Sequence, residues 1–443
     1  MSGMTFPVKV AAARAAGALS RRTGRGGTSM PGRLLMRLEP GAIGRLAARL
    51  REGSVVISAT NGKTTTAAMV AAILERTGRR LVHNRAGANM AGGVASALLD
   101  ARGPADLGLF EVDEFWLPQV ARELRPRALL LANLFRDQLD RYGELETIAD
   151  RWAEVVAAQA GGLVLNADDP LIADLADDAL FFGVEDASLA LPGLQHASDS
   201  KHCRRCGAPY VYDAVLLGHL GHYHCPNGDS ARPRPAIAAE DVELQGVRAA
   251  RFTLRTPAGS ARIALPLPGL YNVYNALAAA ALCTALGVPL ADVVAGLQGV
   301  APAFGRAETV DLAGRPLTLL LVKNPAGANE VLRTLILEGG ELDLLGVLND
   351  RTADGRDVSW VWDADFELVA PRVRRVVCSG TRAAELAVRL KYAGVDTARI
   401  EVVRDLPAAV QAARATGDGP LYALPTYTAM LELRRVLSGS ALG

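Results

Sequence analysis

Residues 58–66 read Ser-Ala-Thr-Asn-Gly-Lys-Thr-Thr-Thr and carry the residue types that hold a nucleotide phosphate. An apolar run at 55–57 precedes them and an Ala-rich stretch follows, which predicts a turn between a buried strand and a helix. In such a turn Gly62 lets the backbone approach a polyphosphate, and the helix N-terminus directs N–H groups at it. Lys63 adds positive charge, and Thr64 adds a hydroxyl for Mg²⁺. The segment therefore predicts a protein that uses ATP.

This turn lacks the first Gly of the standard Walker A pattern, and Ala59 lies inside it. Gly-Lys-Thr also occurs by chance in loops, so the assignment depends on the preceding strand, the following helix and the run of three Thr residues. The predicted ATP contacts in this turn are Thr60, Asn61, Gly62, Lys63, Thr64 and Thr65.

Three carboxylates, Glu111, Asp113 and Glu114, end a second apolar run. Carboxylates at the carboxyl end of a strand beside a phosphate loop are suited to holding Mg²⁺. The alternative is that they are ordinary solvated residues. Another apolar run ends at Ala132 and is followed by the polar segment 133–143, which predicts a second loop lining the same site.

Three of the five cysteines, Cys203, Cys206 and Cys225, are clustered in the sequence. Their spacing resembles a zinc ribbon, whose fold comes from tetrahedral ligation by S and N atoms. Gly228 stands where a complete ribbon has its fourth thiolate. Candidates for the missing ligand are His219, His222, His224 and Asp229, and the predicted ligand set includes His224. We predict a structural zinc ion; the alternative is a ribbon that has lost its metal and is held by packing alone.

An acidic loop at residues 348–358 follows an apolar run and precedes two Trp residues. It contains Asp350, Asp354 and Asp357. Taken by itself, this pattern favours a surface turn followed by a core strand.

Composition narrows the class of protein. With 443 residues, half of them apolar, and a net charge of +1, the chain predicts a soluble globular protein of two or three domains. No membrane span or signal peptide is evident, so we expect a cytoplasmic protein, and nothing argues for nucleic acid. Residues 1–51 carry ten Lys or Arg against one Glu, which leaves contact with the inner membrane face open beside a simple solvated surface. Cys283 and Cys378 lie in apolar surroundings and are predicted core residues.

The alternation of short apolar runs with helical stretches between 52 and 192 predicts an α/β fold with a parallel sheet and helices on both faces. A second α/β block begins after a Pro-rich hinge at 301–306. The predicted domains are a basic N-terminal segment at 1–50, a central ATP-binding domain at 51–310 with an insertion at 200–232, and a C-terminal domain at 311–443.

Five motifs occur in the order that they have in Mur ligases. They are Ala-Thr-Asn-Gly-Lys-Thr-Thr at 59–65, Glu-Val-Asp-Glu at 111–114, Asp-Gln-Leu-Asp-Arg-Tyr-Gly at 137–143, Leu-Asn-Ala-Asp-Asp-Pro at 165–170, and Pro-Gly-Leu-Tyr-Asn-Val-Tyr-Asn-Ala-Leu-Ala at 268–278. Over roughly residues 50–310 the chain therefore resembles a Mur ligase. The resemblance implies phosphate and Mg²⁺ contacts for Lys63 and Thr64, a Mg²⁺ contact for Glu111, adenine contacts for Asn272 and Asn275, and a nucleotide contact for Arg306.

The chain also departs from the amino-acid-adding Mur ligases. Gln138 replaces the His that follows Asp in their Asp-His-Leu-Asp motif, and no Lys lies between Lys63 and Lys201 to supply their carbamylated Lys. Their C-terminal Asp-x-Ala-His-Asn-Pro motif reads Leu-Leu-Val-Lys-Asn-Pro at 320–325. The residues that bind an incoming amino acid are thus in doubt, whereas the ATP residues are present.

The segments 323–330, 348–363 and 424–430 resemble the C-terminal domain of the synthetase subunits of lipid II isoglutaminyl synthases, which also carry an inserted zinc ribbon. The resemblance implies ATP-dependent amidation of the D-glutamate α-carboxylate in the lipid II stem peptide, through an acyl phosphate, to D-isoglutamine. Ammonia would come from a separate GatD-like glutaminase subunit, whose His an Asp of the acidic loop would orient. Asp350 is favoured over Asp354 and Asp357 for that role.

Two other classes of protein are the alternatives. One is an enzyme that adds a whole amino acid, such as a Mur ligase proper or a folylpolyglutamate-synthase-like protein; Gln138 and the missing Lys argue against it. The other is a non-catalytic ATP-binding scaffold, against which the intact phosphate turn and Glu111 argue.

Overall fold

The structure, a computed structural model, describes residues 5–22, 29–84, 88–137, 145–195, 198–301 and 306–440. The strands are β1 (Ser54–Ser58), β2 (Leu81–His83), β3 (Leu107–Glu111), β4 (Ala128–Leu131), β5 (Gly162–Asn166), β6 (Leu180–Val184), β7 (Val211–Leu217), β8 (Leu220–His224), β9 (Ile237–Gln245), β10 (Ala249–Thr256), β11 (Gly259–Leu265), β12 (Arg306–Leu312), β13 (Arg315–Leu320), β14 (Leu342–Val347), β15 (Val373–Ser379), β16 (Ile400–Val402) and β17 (Leu421–Pro425).

The helices alternate with these strands along most of the chain. They are α1 (Phe6–Arg22), α2 (Met30–Leu38), α3 (Ala42–Ala47), α4 (Lys63–Arg76), α5 (Ala91–Asp100), α6 (Leu117–Leu124), α7 (Leu145–Ala157), α8 (Pro170–Ala173), α9 (Leu270–Ala285), α10 (Leu290–Gln298), α11 (Pro325–Ile336), α12 (Ala383–Tyr392), α13 (Leu406–Arg414) and α14 (Tyr427–Ser440). Short 3₁₀ turns lie at Ala187–Leu189, Ser359–Trp362, Phe366–Leu368, Ala370–Arg372 and Thr397–Arg399.

The first sheet has nine strands in the order β11-β10-β9-β6-β5-β4-β1-β3-β2. All neighbours from β9 to β2 pair in parallel, while β10 and β11 are antiparallel additions at one edge. Strand β1 is buried on both faces: Val55 and Ile57 pack into one hydrophobic core, and Val56 packs into another. A strand with a continuous apolar centre is what a sheet covered on both faces requires, so the predicted α/β arrangement is confirmed.

The second sheet has six strands in the order β12-β13-β17-β14-β15-β16, with β12 antiparallel and the rest parallel. Leu319 and Leu320 of β13 face separate cores on its two sides. In both sheets the carboxyl ends of parallel strands form an edge at which loops can gather polar side chains.

Several element predictions needed correction. The apolar pattern predicts one strand over 241–255, but the structure has two antiparallel strands, β9 and β10, joined by a turn at Gly246 with φ of +57°. The sequence pattern does not reveal this turn, because residues on both sides of it suit a strand equally well. The pattern also predicts a helix over 170–177, which ends at Ala173 in the structure, and it does not predict the short edge strands β2 and β16.

The inserted module, residues 200–232, contains the antiparallel hairpin β7–β8 and leaves the first sheet between β6 and β9. Asp168, which follows β5, attaches this module to the first sheet. Its backbone carbonyl accepts a hydrogen bond from Gly221 N at 2.9 Å, and its carboxylate accepts from Arg232 Nε at 2.6 Å. The predicted domain limits themselves remain a prediction.

The described part of the basic N-terminal segment forms helices α1, α2 and α3, which pack against the outer layer of the first sheet. Lys9 and Arg45 both pair with Glu39, and the Arg14 guanidinium donates to the carbonyl of Leu99 at 2.9 Å. Part of its positive charge is thus used within the fold. Among the residues that the structure describes, no helix combines the length and apolar character needed to cross a bilayer.

Candidate active site

The phosphate turn lies between β1 and α4, as the sequence predicts. Gly62 adopts φ of +85°, and a Cβ built there would lie 2.0 Å from Asn275 Oδ1. Both the backbone conformation and the space therefore require glycine. Lys63 begins α4 immediately afterwards, so the first N–H groups of a fourteen-residue helix point out of this turn.

Asn133, at the start of the loop after β4, holds the phosphate turn in shape. Its Oδ1 accepts from Asn61 N at 2.9 Å, and its Nδ2 donates to Asn61 O at 3.1 Å. Next to it, Thr60 Oγ1 accepts from Phe135 N at 3.1 Å. Because β4 and β1 are parallel neighbours, their carboxyl-end loops meet side by side.

Lys63 is buried and forms an ion pair with Glu114, whose Oε2 lies 2.8 Å from Lys63 Nζ. Burial alone would lower the pKa of the Lys63 ammonium, but the carboxylates of Glu114 and Asp113 raise it overall. Burial likewise opposes ionisation of Glu114, yet Lys63 and Lys323 leave the pKa of Glu114 below its usual value. Lys63 is therefore fully charged and held beside the turn.

Glu111 ends β3 and is only 1% exposed. In the parallel pairing of β1 with β3 it lies opposite Ile57, one residue before the phosphate turn begins. Asn84 fixes the backbone there: its Oδ1 accepts from Glu111 N at 3.0 Å and its Nδ2 donates to Glu111 O at 2.8 Å. Thr64 is half-buried in the first turn of α4. Glu111 and Thr64 thus come from adjacent strand ends, where the sequence predicts a Mg²⁺ site.

Asn272 and Asn275 lie in the first two turns of α9 and are buried. Asn275 Nδ2 donates to Asn272 Oδ1 at 3.1 Å, and Thr66 Oγ1 donates to Asn275 Oδ1 at 3.3 Å. Asn275 therefore packs directly on the phosphate turn, and Asn272 holds the Asn275 amide from behind.

The second sheet reaches this turn through Lys323 and Asn324, which follow β13. Lys323 Nζ lies 2.5 Å from Asp137 Oδ2 and donates to the carbonyl of Thr60 at 3.1 Å. The Asn324 amide donates to Asn61 Oδ1 at 3.0 Å. Lys323, which departs from the Mur ligase motif, thus contacts the phosphate turn directly.

Between the two sheets a cleft of about 860 Å³, including its open mouth, runs from the phosphate turn. One end is polar and contains Asn61, Gly62 and Lys323. The rest is largely apolar and is lined by side chains from four separate segments, among them Phe135, Leu217, Leu220, Tyr271, Leu320 and Val331. A polar region at the phosphate turn beside an apolar wall suits a nucleotide, which has phosphates at one end and a base at the other.

Two predicted residues are not placed. The side chain of Arg306, at the start of β12, and Gln138 lie outside the part of the chain that the structure describes in atomic detail. Their predicted roles stay predictions.

The three aspartates of the acidic loop differ in what they contact. Asp354 is buried and accepts from Thr428 N at 2.7 Å, so it caps α14. Asp357 is exposed and accepts from Ser359 N at 2.8 Å, which lowers its pKa. Asp350 is partly exposed; the hydroxyl of Thr381 and the guanidinium of Arg382, each at 2.8 Å, lower its pKa.

The three clustered thiols meet in space, with their sulfur atoms within 4.8 Å of one another. Cys206 Sγ and Cys225 Sγ are 3.4 Å apart. A hydrogen bond from the thiol to the Asp229 carboxylate raises the pKa of Cys206 to about 11. Burial opposes ionisation of Cys225, but the N–H groups of Asn227 and Asp229 lower its pKa overall. Converging thiols with backbone N–H groups directed at sulfur are typical of zinc knuckles.

The histidine candidates lie elsewhere in the module. His224 Nδ1 is 3.3 Å from Asp213, and His222 Nε2 is 2.8 Å from the carbonyl of Val184. His219 is fully buried, 3.3 Å from Asp169 and stacked on Phe135. The structure therefore does not bring the predicted His224 to the thiols; the strand direction carries its ring toward Asp213 instead.

The sequence places Glu114 among the candidate carboxylates and Asp137 and Asn84 in polar loops at the same edge, but it does not predict their contacts: Glu114 pairs with Lys63, Asp137 pairs with Lys323, and Asn84 holds the backbone of Glu111. Each follows a strand end, which is the signal that could have identified them. The role of Lys323 could not be predicted from the sequence, because only folding places its side chain against Thr60.

The phosphate turn, the strand order and a nucleotide-sized cleft between two α/β units define the Mur ligase class. Residues 57–220 match the Mur ligase middle domain, and residues 321–430 match the MurT ligase C-terminal domain. The chain is 33% identical to the lipid II isoglutaminyl synthase subunit MurT of Staphylococcus aureus, over 96% of each chain. It is 30% identical to the MurT subunit of Streptococcus pneumoniae, over 94% of this chain and 93% of that one. The chain therefore belongs to the MurT family.

Solved structures agree on the fold. A pseudomurein peptide ligase type C from Methanothermus fervidus superposes with a TM-score of 0.70 at 23% identity, covering 88% of this chain and 79% of that one. Membership of the family confirms the prediction of an ATP-dependent Mur-type ligase of peptidoglycan synthesis, a class that uses ATP and Mg²⁺.

We expect Gly62→Ala to abolish detectable ATP binding, because the new methyl group collides with Asn275 and the backbone is strained. The matched control is Gly53→Ala, which has a similar φ of +75° but nothing within 4 Å of the added Cβ. Calorimetric titration with Mg·ATP, together with a melting curve for each variant, is the measurement. Equal ATP affinity in the two variants would contradict the assigned phosphate turn.

Proposed function

We propose that this chain is the synthetase subunit of a lipid II isoglutaminyl synthase. In this reaction the D-glutamate α-carboxylate of the lipid II stem peptide attacks the γ-phosphorus of ATP, giving an acyl phosphate and ADP. Ammonia then displaces phosphate and leaves the amide of D-isoglutamine. The observation that carries the proposal is the phosphate turn with its buried Lys63–Glu114 pair in a chain whose MurT relatives match over nearly its full length.

Within this proposal the nucleotide lies in the cleft with its phosphates on residues 60–65. Lys63, which is held beside the turn by Glu114, would offset charge on the phosphates. Thr64 and Glu111 would hold Mg²⁺, which supplies positive charge to the transferring phosphoryl group. Asn272 and Asn275 would lie near the adenine and Arg306 would approach the nucleotide; the contact of Asn275 with Thr66 places that side chain beside the phosphate turn.

Lys323 adds a second cation to this site. It lies against the phosphate turn, yet it comes from the second sheet. ATP would compete with Asp137 for it, and a bound phosphate would then join the two sheets. Since phosphoryl transfer depends on positioning and charge, the second sheet would contribute directly to the chemistry.

We expect Lys323→Met to lower kcat for acyl phosphate formation by about 10²-fold, with Lys323→Arg partly active. Hydroxylamine trapping of the acyl phosphate measures this step. Lys391→Met, at an exposed position, is the control and should be fully active. The variant Asp137→Asn removes the charged partner of Lys323 and leaves the lysine in place. If kcat falls as far in Asp137→Asn as in Lys323→Met, the lysine acts only through its ion pair.

The ammonia would come from a glutaminase partner. An exposed apolar patch on the second sheet supports a docked subunit: Trp362 and Tyr392 are 51% and 70% exposed, with ring centroids 5.9 Å apart. Asp350 is the aspartate that we assign to the partner's His. Asp354 is committed to capping α14, and Asp357 lies farther from a strand end.

Mass analysis of the product tests the reaction. The chain is incubated with Mg·ATP and lipid II, and ammonium, free amino acids, or glutamine with a co-purified glutaminase are supplied in turn. We expect ADP, phosphate and a product with one OH replaced by NH₂, and Lys63→Met should lower this turnover at least about 10²-fold. A product larger by one amino acid would instead show a conventional ligase, and no turnover would show a scaffold.

For the metal site we propose Zn²⁺ held by Cys203, Cys206 and Cys225, whose sulfur atoms lie within 4.8 Å of one another, with Asp229 as the candidate for the fourth ligand. A hydrogen bond from the Cys206 thiol to the Asp229 carboxylate raises the pKa of Cys206, and zinc accepts a carboxylate oxygen as a ligand. The contribution of the ion would be structural, because it would join the segments that carry the three thiols.

We expect Cys206→Ser to lose bound zinc and Asp229→Ala to bind it more weakly, since each removes a ligand. His224→Ala should keep zinc as the natural chain does. Metal content after dialysis, measured by mass spectrometry, is the readout. If His224→Ala loses zinc and Asp229→Ala keeps it, the fourth ligand is His224, as the sequence predicts.

The proposed substrate, lipid II, also indicates where in the cell the protein acts. Lipid II is anchored in a membrane, so the reaction would take place at its cytoplasmic face. The basic segment 1–51 would then favour an anionic surface, although Glu39 already neutralises part of it.

A further inference from the structure

The tip of the β7–β8 hairpin forms part of the wall of the nucleotide cleft. Leu217 ends β7 and Leu220 begins β8, and both side chains line the cleft. They pair directly across the hairpin in its antiparallel register. The inserted module, whose thiols lie at its other end, is therefore part of the same cleft as the phosphate turn.

The tip is fixed against the first sheet by close packing. Gly218, with φ of +60°, leaves room for the ring of Phe135, which a Cβ at this position would approach to 2.9 Å. His219 stacks on the same ring at 4.7 Å between centroids. Phe135 is in turn hydrogen-bonded to Thr60 of the phosphate turn. The hairpin tip and the phosphate turn thus share one contact residue.

The tip is also bound to the second sheet. Arg333 of α11 donates to the carbonyl of Leu216 at 2.7 Å and to Glu330 Oε1 at 2.8 Å. Burial raises the pKa of Glu330, which also lines the cleft, although Arg333 partly opposes that shift. Contacts to elements of both sheets thus position Leu217 and Leu220 at the cleft.

We propose that Leu217 and Leu220 form the base-binding wall of the ATP pocket, so that the metal-binding module takes part directly in nucleotide recognition. A nucleotide with its phosphates on Gly62 must place its base in the remaining, apolar part of the cleft. Leucine side chains offer the faces of a purine a dry surface, and burying those faces favours binding. This inference rests on the proposed use of ATP.

The position of the thiols adds a consequence for the metal. The strand β7 runs seven residues from Val211, beside the thiol-bearing end, to Leu217 at the cleft. At about 3.3 Å per residue this is roughly 20 Å. Loss of order at the thiol end would therefore loosen a strand whose other end is the pocket wall, and ATP affinity should fall with metal content.

The test compares ATP with inorganic tripolyphosphate, which offers phosphates but no base. In calorimetric titrations of the full chain with Mg²⁺, Leu217→Ala and Leu220→Ala should each raise the Kd for ATP about tenfold. Their Kd for tripolyphosphate should change less than about twofold, because the phosphate turn is intact. Val211→Ala, on the same strand and 44% exposed, is the control and should bind both ligands normally.

A chelated natural chain should show the same selective loss for ATP, and added Zn²⁺ should restore it. Unchanged ATP affinity in both Leu variants overturns the proposed wall. Equal loss of ATP and tripolyphosphate also overturns it, since the hairpin would then act only through folding, which melting curves would show. If the natural chain binds tripolyphosphate but not ATP, the proposed function fails as well; if it binds ATP and the Leu variants match it, only the wall proposal fails.

Discussion

The buried ion pair between Lys63 and Glu114 is the interaction on which the rest of the site depends. An ammonium inside a protein must be paired, because an unpaired buried charge costs several kcal/mol. The pair therefore fixes which strand ends can surround the phosphate turn: the turn after β1 leads into the lysine at the start of α4, and the segment after β3 supplies the carboxylate. The lysine is thus kept charged and correctly placed before any phosphate arrives.

The same requirement explains why the site is divided between two sheets. One sheet holds the phosphate turn through Asn133 and Asn275, while the other supplies Lys323 and Asn324. A site built from two units can bind a nucleotide between them and bring a second substrate close only when both units are in contact. Lys323 makes that contact electrostatic, so it depends on charge as well as shape.

The inserted module connects two features that are distant in the sequence. Its thiols form a compact cluster, and its hairpin tip enters the cleft between the sheets. Asp168 anchors the module with its backbone and its side chain together, and burial of Leu216, Leu220 and Tyr223 in the cores of the first sheet holds the module in a defined position. The module is best regarded as a part of the nucleotide site.

By itself the sequence determined the α/β fold, the phosphate turn and the family, because these follow from local patterns: apolar runs, a glycine that must adopt positive φ, and ordered motifs. It also placed the thiol cluster, whose members lie close along the chain. Only the tertiary structure decided which polar residues meet. Lys323 reaches Thr60 and Leu217 enters the cleft through packing between distant segments, and His224 turns away from the thiols because a strand directs alternate side chains to opposite faces. No pattern in the sequence records such long-range distances, since they depend on how whole elements pack.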